Sequence, residues 1–184
     1  GLLLASLEQR ITEVGTEIRR LNEQEKDLVE LIKGLTAIVS NYTVTSDMPF
    51  SALRGQLTWP VTGRLIHDFG QSRAGRSVKW NGIVVSAPRG QEIRATHHGL
   101  VVFADWLVGM GLLIIIDHGE GYMSLYGYNE TTVKVAGDRV EVGEVIGTVG
   151  DTGGQQETGL YFEIRHRTKP LNPRQWFEGQ LKID

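Results

Sequence analysis

The feature that most restricts the fold of this chain is a series of short β-type segments after Trp59. These segments are four to eight residues long, rich in β-branched or aromatic residues, and bounded by Gly, Pro, Asn or Asp. They include GRLIHDF, GIVVSA, GLVVFADW, GLLIIIDH, YMSLYGY, VIGTVG and LYFEIRH. No helical pattern separates them, and all but three of the 23 glycines follow residue 50. The sequence therefore predicts a mainly antiparallel β domain over residues 57–184.

The first 40 residues follow a different pattern. They contain no proline, and apolar residues alternate at spacings of three and four, as in the a/d seam of a coiled coil. The seam comprises Leu4, Leu7, Ile11, Val14, Ile18, Leu21, Leu28, Ile32, Leu35 and Val39. Glu25 occupies an a position and predicts either a kink or a register-setting defect. The pattern favours a coiled-coil strand over residues 1–40, the alternative being an amphipathic helix packed on its own domain. Residues 41–56 are predicted to be a connector.

Composition excludes several classes of protein. The chain has 184 residues, a net charge of −3 and a pI near 6.0, so we expect no nucleic-acid partner. It has no cysteine, which excludes disulfides, thiolate metal sites and a Cys nucleophile. Because the chain does not begin with methionine, we expect it to be part of a longer protein with its signal sequence upstream of Gly1.

The order of the β segments resembles that of a known family. The run GRLIHDFG…WNGIVVSAPRG…GLLIIIDHGEGYMSLYGYNE…VIGTVGDTGG…GLYFEIRHRTKPLNP is similar to the LytM/lysostaphin-type peptidase domain over about residues 57–177. The heptad segment and the phrases ADWLVGMGLLIIIDHGEGYMSLYGYN and LYFEIR resemble the EnvC-type murein hydrolase activators in particular. The resemblance implies the antiparallel LytM/lysostaphin-type peptidase fold, with a coiled-coil-like helix at its N-terminus.

The same resemblance identifies the positions where zinc-dependent members carry their metal ligands. Their His-x-Gly-x-Asp segment corresponds to WNGIV, which places Trp80 and Val84 at the two ligand positions. The third ligand position is Tyr161, and two further catalytic histidines correspond to Tyr128 and Gly159. A hydrolytic zinc site needs about three N, O or S ligands and a bound water. We therefore expect no metal, no cofactor and no catalytic residue.

The five histidines do not restore such a site. His97 and His98 are adjacent, and we expect a surface turn there. His118 ends a strand at a turn and is expected to be structural, whereas His67 and His166 have no carboxylate or histidine at ligand spacing and are expected at the surface.

The altered groove carries residue types that are enriched in protein-binding hot spots. By strand alternation, Tyr161, Glu163 and Arg165 should share one face, and Tyr126 and Tyr128 should share one as well. An alternative is that these side chains only pack in a dead site; a mixture of packing and binding is favoured. The predicted partner-binding groove consists of Trp80, Asn81, Val84, Tyr126, Tyr128, Tyr161 and Arg165.

The resemblance also implies a function. It predicts a non-catalytic activator of N-acetylmuramoyl-L-alanine amidases, acting in septal peptidoglycan splitting in the periplasm of a Gram-negative bacterium. It implies that the coiled coil links the activator to a division-associated ABC-transporter-like complex, and that a nearby segment covers the groove. Residues 28–56 are the candidate cover, with 41–56 as a possible groove-covering arm. The alternative is a peptidoglycan-binding or weakly active LytM-type endopeptidase, for which peptidoglycan would be a direct partner.

Overall fold

The computed structural model describes residues 1–39, 48–179 and 181–183. Helix α1 spans Leu2–Val39, and two short 3-10 helices span Phe50–Leu53 and Pro173–Gln175. The absence of proline and the regular apolar spacing let α1 run without a break through Gly15, Glu25 and Gly34. Within the described residues, no helix is long and apolar enough to cross a membrane.

The remaining elements are strands. In chain order they are β1 (Arg64–His67), β2 (Ser72–Ala74), β3 (Val78–Lys79), β4 (Ile83–Ser86), β5 (Glu92–Arg94), β6 (Gly99–Leu107), β7 (Gly111–Asp117), β8 (Tyr122–Thr132), β9 (Arg139–Val140), β10 (Val145–Val149), β11 (Gly159–His166), β12 (Lys169–Leu171) and β13 (Lys182–Ile183). The main sheet has the order β13-β1-β4-β11-β8-β7-β6-β9, with β10 joining β5 to β8 and β12 beside β11. Its pairings are antiparallel except for β1 with β13, and β2 and β3 form a separate hairpin. The predicted fold class is confirmed.

Strand β11 and the segment that forms β4 approach closely at two glycines. A Cβ atom at Gly82 would lie 2.3 Å from the carbonyl oxygen of Phe162, and one at Gly159 would lie 2.7 Å from that of Val85. Both distances are too short for any residue larger than glycine without a shift of the backbone. The two glycines that flank the candidate site therefore allow the backbones of neighbouring strands to approach closely there.

The sheet separates two apolar cores. One core contains Leu160, Phe162 and Ile164 of β11 and is closed by Phe50 and other residues of the connector and C-terminus. The other core lies on the opposite face and is closed by Leu28, Ile32 and Val39 of α1. Because side chains alternate along β11, this one strand contributes residues to both cores.

The seam of α1 has two different environments. Leu21, Leu28, Ile32 and Val39 are buried, and α1 contacts β2, β3 and β6. The seam residues nearer the N-terminus are exposed; these are Leu4, Leu7, Ile11 and Val14. The predicted domain boundaries at 40/41 and 56/57 stay a prediction, and residues 40–47 lie outside the described chain.

Candidate functional site

Three alternate residues of β11 form the floor of the candidate site. Tyr161, Glu163 and Arg165 are buried on the same side of the sheet, as the sequence predicts. The Tyr161 hydroxyl donates a hydrogen bond to Glu163 Oε2 at 2.8 Å. Arg165 Nε donates to Glu163 Oε1 at 2.6 Å. Glu163 thus holds the phenol and the guanidinium in fixed positions relative to each other.

Aromatic rings form the walls beside this floor. The rings of Trp80 and Tyr128 lie 6.0 and 5.4 Å from the ring of Tyr161, measured between centroids. Val84 of β4 is the antiparallel partner of Tyr161 and belongs to the same buried cluster. Four of the predicted groove residues, Trp80, Val84, Tyr128 and Tyr161, are therefore brought together in one cluster.

Two polar residues fix the orientation of Trp80. The His67 ring stacks on the indole with a centroid distance of 4.5 Å and an interplanar angle of 16°. The guanidinium carbon of Arg73 lies 3.9 Å from the indole centroid, which is a cation–π contact. His67, expected at the surface, is only partly exposed and belongs to the groove wall.

Tyr126 is not part of the groove, so the prediction that it shares a face with Tyr128 is wrong. Its ring packs in the opposite core, and its hydroxyl lies 2.8 Å from Ser124 Oγ and accepts from the Thr96 amide at 3.2 Å. The reason is a bulge in β8 opposite β7, next to Tyr128, whose φ of 68° breaks the alternation of side chains.

Helix α1 closes the site with a carboxylate. Arg165 Nη1 donates to Glu25 Oε1 at 2.6 Å, and Nη2 donates to Oε2 at 3.0 Å. Asn81 Nδ2 donates to the same Oε2 at 2.8 Å. The seam residues on either side of Glu25, Leu21 and Leu28, are buried. Glu25, which interrupts the apolar heptad seam, is thus the residue through which the helix forms hydrogen bonds with the groove.

The cover differs from the predicted one. It includes residues 21–39 of α1 and so begins before residue 28. The connector residues Phe50 and Leu53 instead pack in the core on the opposite face of the sheet. The described part of the candidate arm 41–56 therefore anchors the chain beyond α1 rather than covering the groove.

Burial and neighbouring charges determine the protonation states of Arg165, Tyr161 and Tyr128. Burial by itself lowers the pKa of Arg165, but the carboxylates of Glu163 and Glu25 outweigh it and the pKa is raised. Burial, followed by the charge of Glu163, raises the pKa of Tyr161 well above its usual range. Burial also raises the pKa of Tyr128 to about 12. Both phenols are therefore hydrogen-bond donors at neutral pH and not phenolate ligands.

The donor set does not fit a hydrolytic zinc ion. Trp80, Val84 and Gly159 offer no ligand atom, and the hydroxyl of Tyr161 is already donated to Glu163. Across the described ranges, no group of three His, Asp or Glu side chains is arranged to hold a metal. A histidine at residue 159 would also meet the backbone of β4.

The histidines near the connector are mostly buried, and the prediction of a surface turn is wrong for His97. His97 is buried beside Phe50, whose ring also stacks on His118 at 4.7 Å. His118 Nδ1 donates to the His98 carbonyl at 2.7 Å, and Nε2 lies 2.7 Å from Ser124 Oγ. Burial is the main cause that lowers the pKa of His118 to about 3. This residue is structural, as expected.

Sequence reasoning missed three residues of the site: Glu25, Arg73 and His67. Glu25 carried a signal, because a lone carboxylate at an a position of an otherwise apolar seam requires a buried partner. Its partner could not be identified from spacing, since Arg165 is 140 residues away. His67 ends β1 and Arg73 lies in β2; both strands are short, and no periodic pattern marks either residue as part of a site.

Helix α1 leaves part of the groove open. A pocket of about 480 Å3 lies at its far end, lined in part by His67, Trp80, Val84 and Tyr128. A second cavity of about 190 Å3 lies between the helix and the sheet, where Glu25, Arg73 and other residues meet. The groove can therefore accept more than the residues that α1 places in it.

Comparison with known proteins agrees with this geometry. The sequence model of peptidase family M23 matches residues 78–173. The murein hydrolase activator EnvC of Escherichia coli K12 is 44% identical over 125 residues, covering 68% of this chain and 30% of that protein. The murein hydrolase activator NlpD of the same strain is 41% identical over 116 residues, covering 62% and 29% respectively. The chain thus spans about a third of the length of these relatives.

Solved structures show the same fold. A putative peptidase M23 from Pseudomonas aeruginosa aligns with a TM-score of 0.65 at 21% identity, covering 85% of this chain and 61% of that one. A zinc-containing peptidase from Vibrio cholerae aligns with a TM-score of 0.61 at 24% identity, covering 70% and 41%. At these identities the alignments establish the fold alone.

Proposed function

Because this chain belongs to peptidase family M23 but carries no zinc-type ligand set in its groove, we propose that it is a non-catalytic activator of cell-wall amidases. The enzymes it activates are N-acetylmuramoyl-L-alanine amidases, and the process is septal peptidoglycan splitting during cell division. Two relatives that share more than 40% identity with it are named murein hydrolase activators, which supports this function.

The observation that carries the proposal is the occupant of the groove. The positions of the lost ligands lie in one aromatic groove, and an amphipathic helix fills part of it through Leu28, Ile32 and Glu25. A groove that binds a helix in this way is suited to protein recognition and not to hydrolysis. The partner surface consists of Trp80, Asn81, Val84, Tyr128, Tyr161 and Arg165, whereas Tyr126 supports it from the opposite face.

Helix α1 acts as the mask of this surface. A partner that needs the groove binds only the fraction of molecules in which α1 has left it, so a mask closed 99% of the time weakens binding about 100-fold. Such an arrangement keeps an amidase activator inactive until the helix is released. Release does not require unfolding of the β domain, because the connector is anchored separately at Phe50.

The exposed half of α1 supplies the link to the division machinery. Leu4, Leu7, Ile11 and Val14 present an apolar seam that suits a coiled coil with upstream helix, and through it an ABC-transporter-like division complex. The corresponding location is the periplasm of a Gram-negative bacterium, where the amidase and its substrate meet.

The test is amidase activation by variants of the described chain. The double variant Leu28→Asp/Ile32→Asp places two carboxylates in the buried half of the seam and should open the groove. Leu7→Asp/Ile11→Asp occupies the same heptad positions in the exposed half and is the matched control. With a purified Gram-negative amidase and dye-labelled peptidoglycan, the first variant should activate at roughly 100-fold lower concentration than the wild-type chain. Each chain alone should release no dye.

Two results would contradict the proposal. Equal activation by the wild-type chain and both double variants would show that α1 is only a tether. Dye release by the chain alone, if abolished by a chelator, would show instead that it is a peptidase.

A further inference from the structure

Phe50 of the connector fills an aromatic pocket on the face of the sheet opposite the groove. Its ring stacks on His118 at a centroid distance of 4.7 Å and lies 5.9 Å from the ring of His97. Tyr122 and Trp176 complete the pocket at 5.1 and 5.0 Å. Phe50 is 1% exposed, and His97 and His118 are 9% and 4% exposed. The side chain that anchors the connector therefore covers two imidazole rings and keeps water away from them.

His97 has no hydrogen-bond partner for one of its ring nitrogens. Within the part of the chain that the structure describes, Nε2 of His97 is buried and meets neither a donor nor an acceptor. A neutral imidazole can leave this nitrogen unprotonated, whereas an imidazolium carries an N–H donor on both nitrogens. A second proton on His97 would therefore bury a charge and an unpaired donor beneath Phe50, which is strongly unfavourable.

His118 is kept neutral by the same pocket. Its Nδ1 donates to the His98 carbonyl at 2.7 Å, and Nε2 lies 2.7 Å from Ser124 Oγ. The ring of His97 is 5.9 Å away, so protonation of both rings would place two like charges side by side. Burial lowers the pKa of both histidines, and that of His118 to about 3. The neutral rings and the seat of Phe50 therefore support each other.

The acidic groups around the pocket do not compensate this charge. Among the described residues, no carboxylate is hydrogen-bonded to His97 or His118. The nearby carboxyl groups belong to Asp117, Glu120 and Glu141. Glu141 is largely exposed and pairs with His98, Glu120 is exposed, and burial raises the pKa of Asp117 and so favours its neutral form. The other titratable groups at the pocket are those of His98, Tyr122, Tyr126 and His166.

We infer that Phe50, His97 and His118 form an acid-sensitive latch, in which protonation of the two histidines releases the connector while the sheet stays folded. The attachment of the connector to the β domain would move from Phe50 to Leu57, whose amide donates to the Trp176 carbonyl at 2.9 Å. The segment between them would add up to about 23 Å of reach at about 3.3 Å per residue. The latch lies on the face opposite the groove, so it goes beyond the proposed function and does not depend on what the groove binds.

Hydrogen exchange of the full chain, read for each residue by NMR, tests the latch. The Ala52 amide donates to the Pro49 carbonyl and the Gln56 amide to the Leu53 carbonyl, so both should exchange when the connector leaves. The open form binds more protons than the closed form, because the pKa values of both histidines lie below the ordinary 6.5 only in the closed form. Opening is therefore favoured as the pH falls below 6.5.

The expected rise follows from this proton uptake. Between pH 7.5 and pH 5.5, exchange at Ala52 and Gln56, divided by the intrinsic rate at each pH, should become about tenfold faster through His118 and up to about 100-fold faster with His97. Low concentrations of urea should leave these rates unchanged, because a local opening exposes little surface. The Leu57 amide should remain protected.

Histidine variants show which rings control the latch. His118→Gln and His97→Gln should each reduce the pH effect on Ala52 exchange, and the double variant should remove it. His67→Gln, on the opposite face of the sheet, is the matched control and should keep the full effect. Because substitution of a buried ring can perturb folding, the imidazoles of the wild-type chain are also titrated by NMR.

Three results would overturn the latch. Equal pH dependence of Ala52 exchange in the wild-type chain and the double variant would show that the histidines do not control the connector. Titration of His97 or His118 near pH 6.5 while Ala52 stays protected would show that the closed pocket accepts the proton. Exchange at Ala52 with the same urea dependence as the amides of β7 would show that the connector leaves only when the whole domain unfolds.

Discussion

The two halves of α1 have the same seam but opposite environments. Ile11 and Ile32 both occupy a positions, yet 73% of Ile11 is exposed and Ile32 is fully buried. The helix is continuous between them, and both halves carry leucine at the preceding d position, Leu7 and Leu28. The heptad pattern therefore predicts the existence of an apolar stripe but not the surface that covers it.

The two halves of α1 differ in one polar contact, the ion pair between Glu25 and Arg165. Only the second half contains Glu25, which pairs with Arg165, the one buried arginine among the residues that the structure describes. Apolar burial supplies most of the free energy of such a contact, but the ion pair sets its register, as a single polar a-position residue does in coiled coils. Substitutions on either side of the Glu25–Arg165 pair can distinguish whether the pair or the apolar stripe separates the two halves.

The largest effect is expected from a substitution of Arg165, the β-domain member of the Glu25–Arg165 pair. Arg165→Glu would place a third carboxylate next to Glu163 and Glu25 in a buried site. The free energy of unfolding should fall by about 4 kcal/mol or more, because the buried Glu163 and the partly exposed Glu25 lose their cation and gain a like charge. Urea unfolding followed by circular dichroism measures the change. Arg139→Glu, at the exposed residue of β9, is the control and should alter stability by less than about 0.5 kcal/mol.

A small effect of Arg165→Glu on stability would contradict the view that the ion pair distinguishes the two halves of α1. If stability changed by no more than in the control, the buried pair would be unimportant. The aromatic cluster alone would then hold α1 in the groove.

The next effect is expected from the helix side. Glu25→Leu completes the apolar seam but leaves the Arg165 donors under an apolar side chain, a loss of about 2 kcal/mol after allowing for the partial exposure of Glu25. Amide hydrogen exchange in residues 21–35 should become about 30-fold faster, since these amides exchange when the helix opens. Ile11→Leu in the exposed half should leave that rate unchanged. Slower exchange in Glu25→Leu would show that the stripe, and not the pair, selects the groove.

A third prediction concerns acid and the anchor beyond α1. Burial lowers the pKa of His118 to about 3, below the usual 6.5 of the unfolded chain. Its neutral form therefore supports folding above about pH 6.5, and this support is lost as the pH falls from 6.5 toward 3. The expected loss at pH 5 is about 2 kcal/mol relative to pH 7.5, and His97, whose pKa burial also lowers, acts in the same direction.

Urea unfolding at the two pH values measures this loss. In His118→Gln most of the difference between pH 7.5 and pH 5 should disappear. Equal pH dependence in the wild-type chain and the variant would contradict a buried neutral histidine beneath Phe50. The acid effect belongs to the face of the sheet opposite the groove, so it separates the anchor of the connector from the hold on α1.

Much of the fold follows from the sequence, because glycine-bounded β segments and a proline-free heptad each have few structural solutions. Six of the seven predicted groove residues meet in space, since strand alternation is reliable along β11. It failed in β8, where the left-handed backbone at Tyr128 moved Tyr126 to the other face. Gly127 was the available signal, because a glycine inside a strand often marks a bulge. The Glu25–Arg165 pair was beyond reach, since no local pattern joins residues that far apart.

The smallest effect is expected at Tyr161, which contacts the Glu25–Arg165 pair only through Glu163. Tyr161→Phe keeps the ring in the aromatic cluster but removes the hydroxyl that donates to Glu163, so Glu163 holds the Arg165 guanidinium less firmly. We expect a loss of about 1 kcal/mol, seen as roughly fivefold faster exchange in residues 21–35. Tyr122→Phe, in the opposite core, is the control and should not change that exchange. An effect of Tyr161→Phe as large as that of Glu25→Leu would show that the floor of the groove, and not the carboxylate of the helix, separates the two halves of α1.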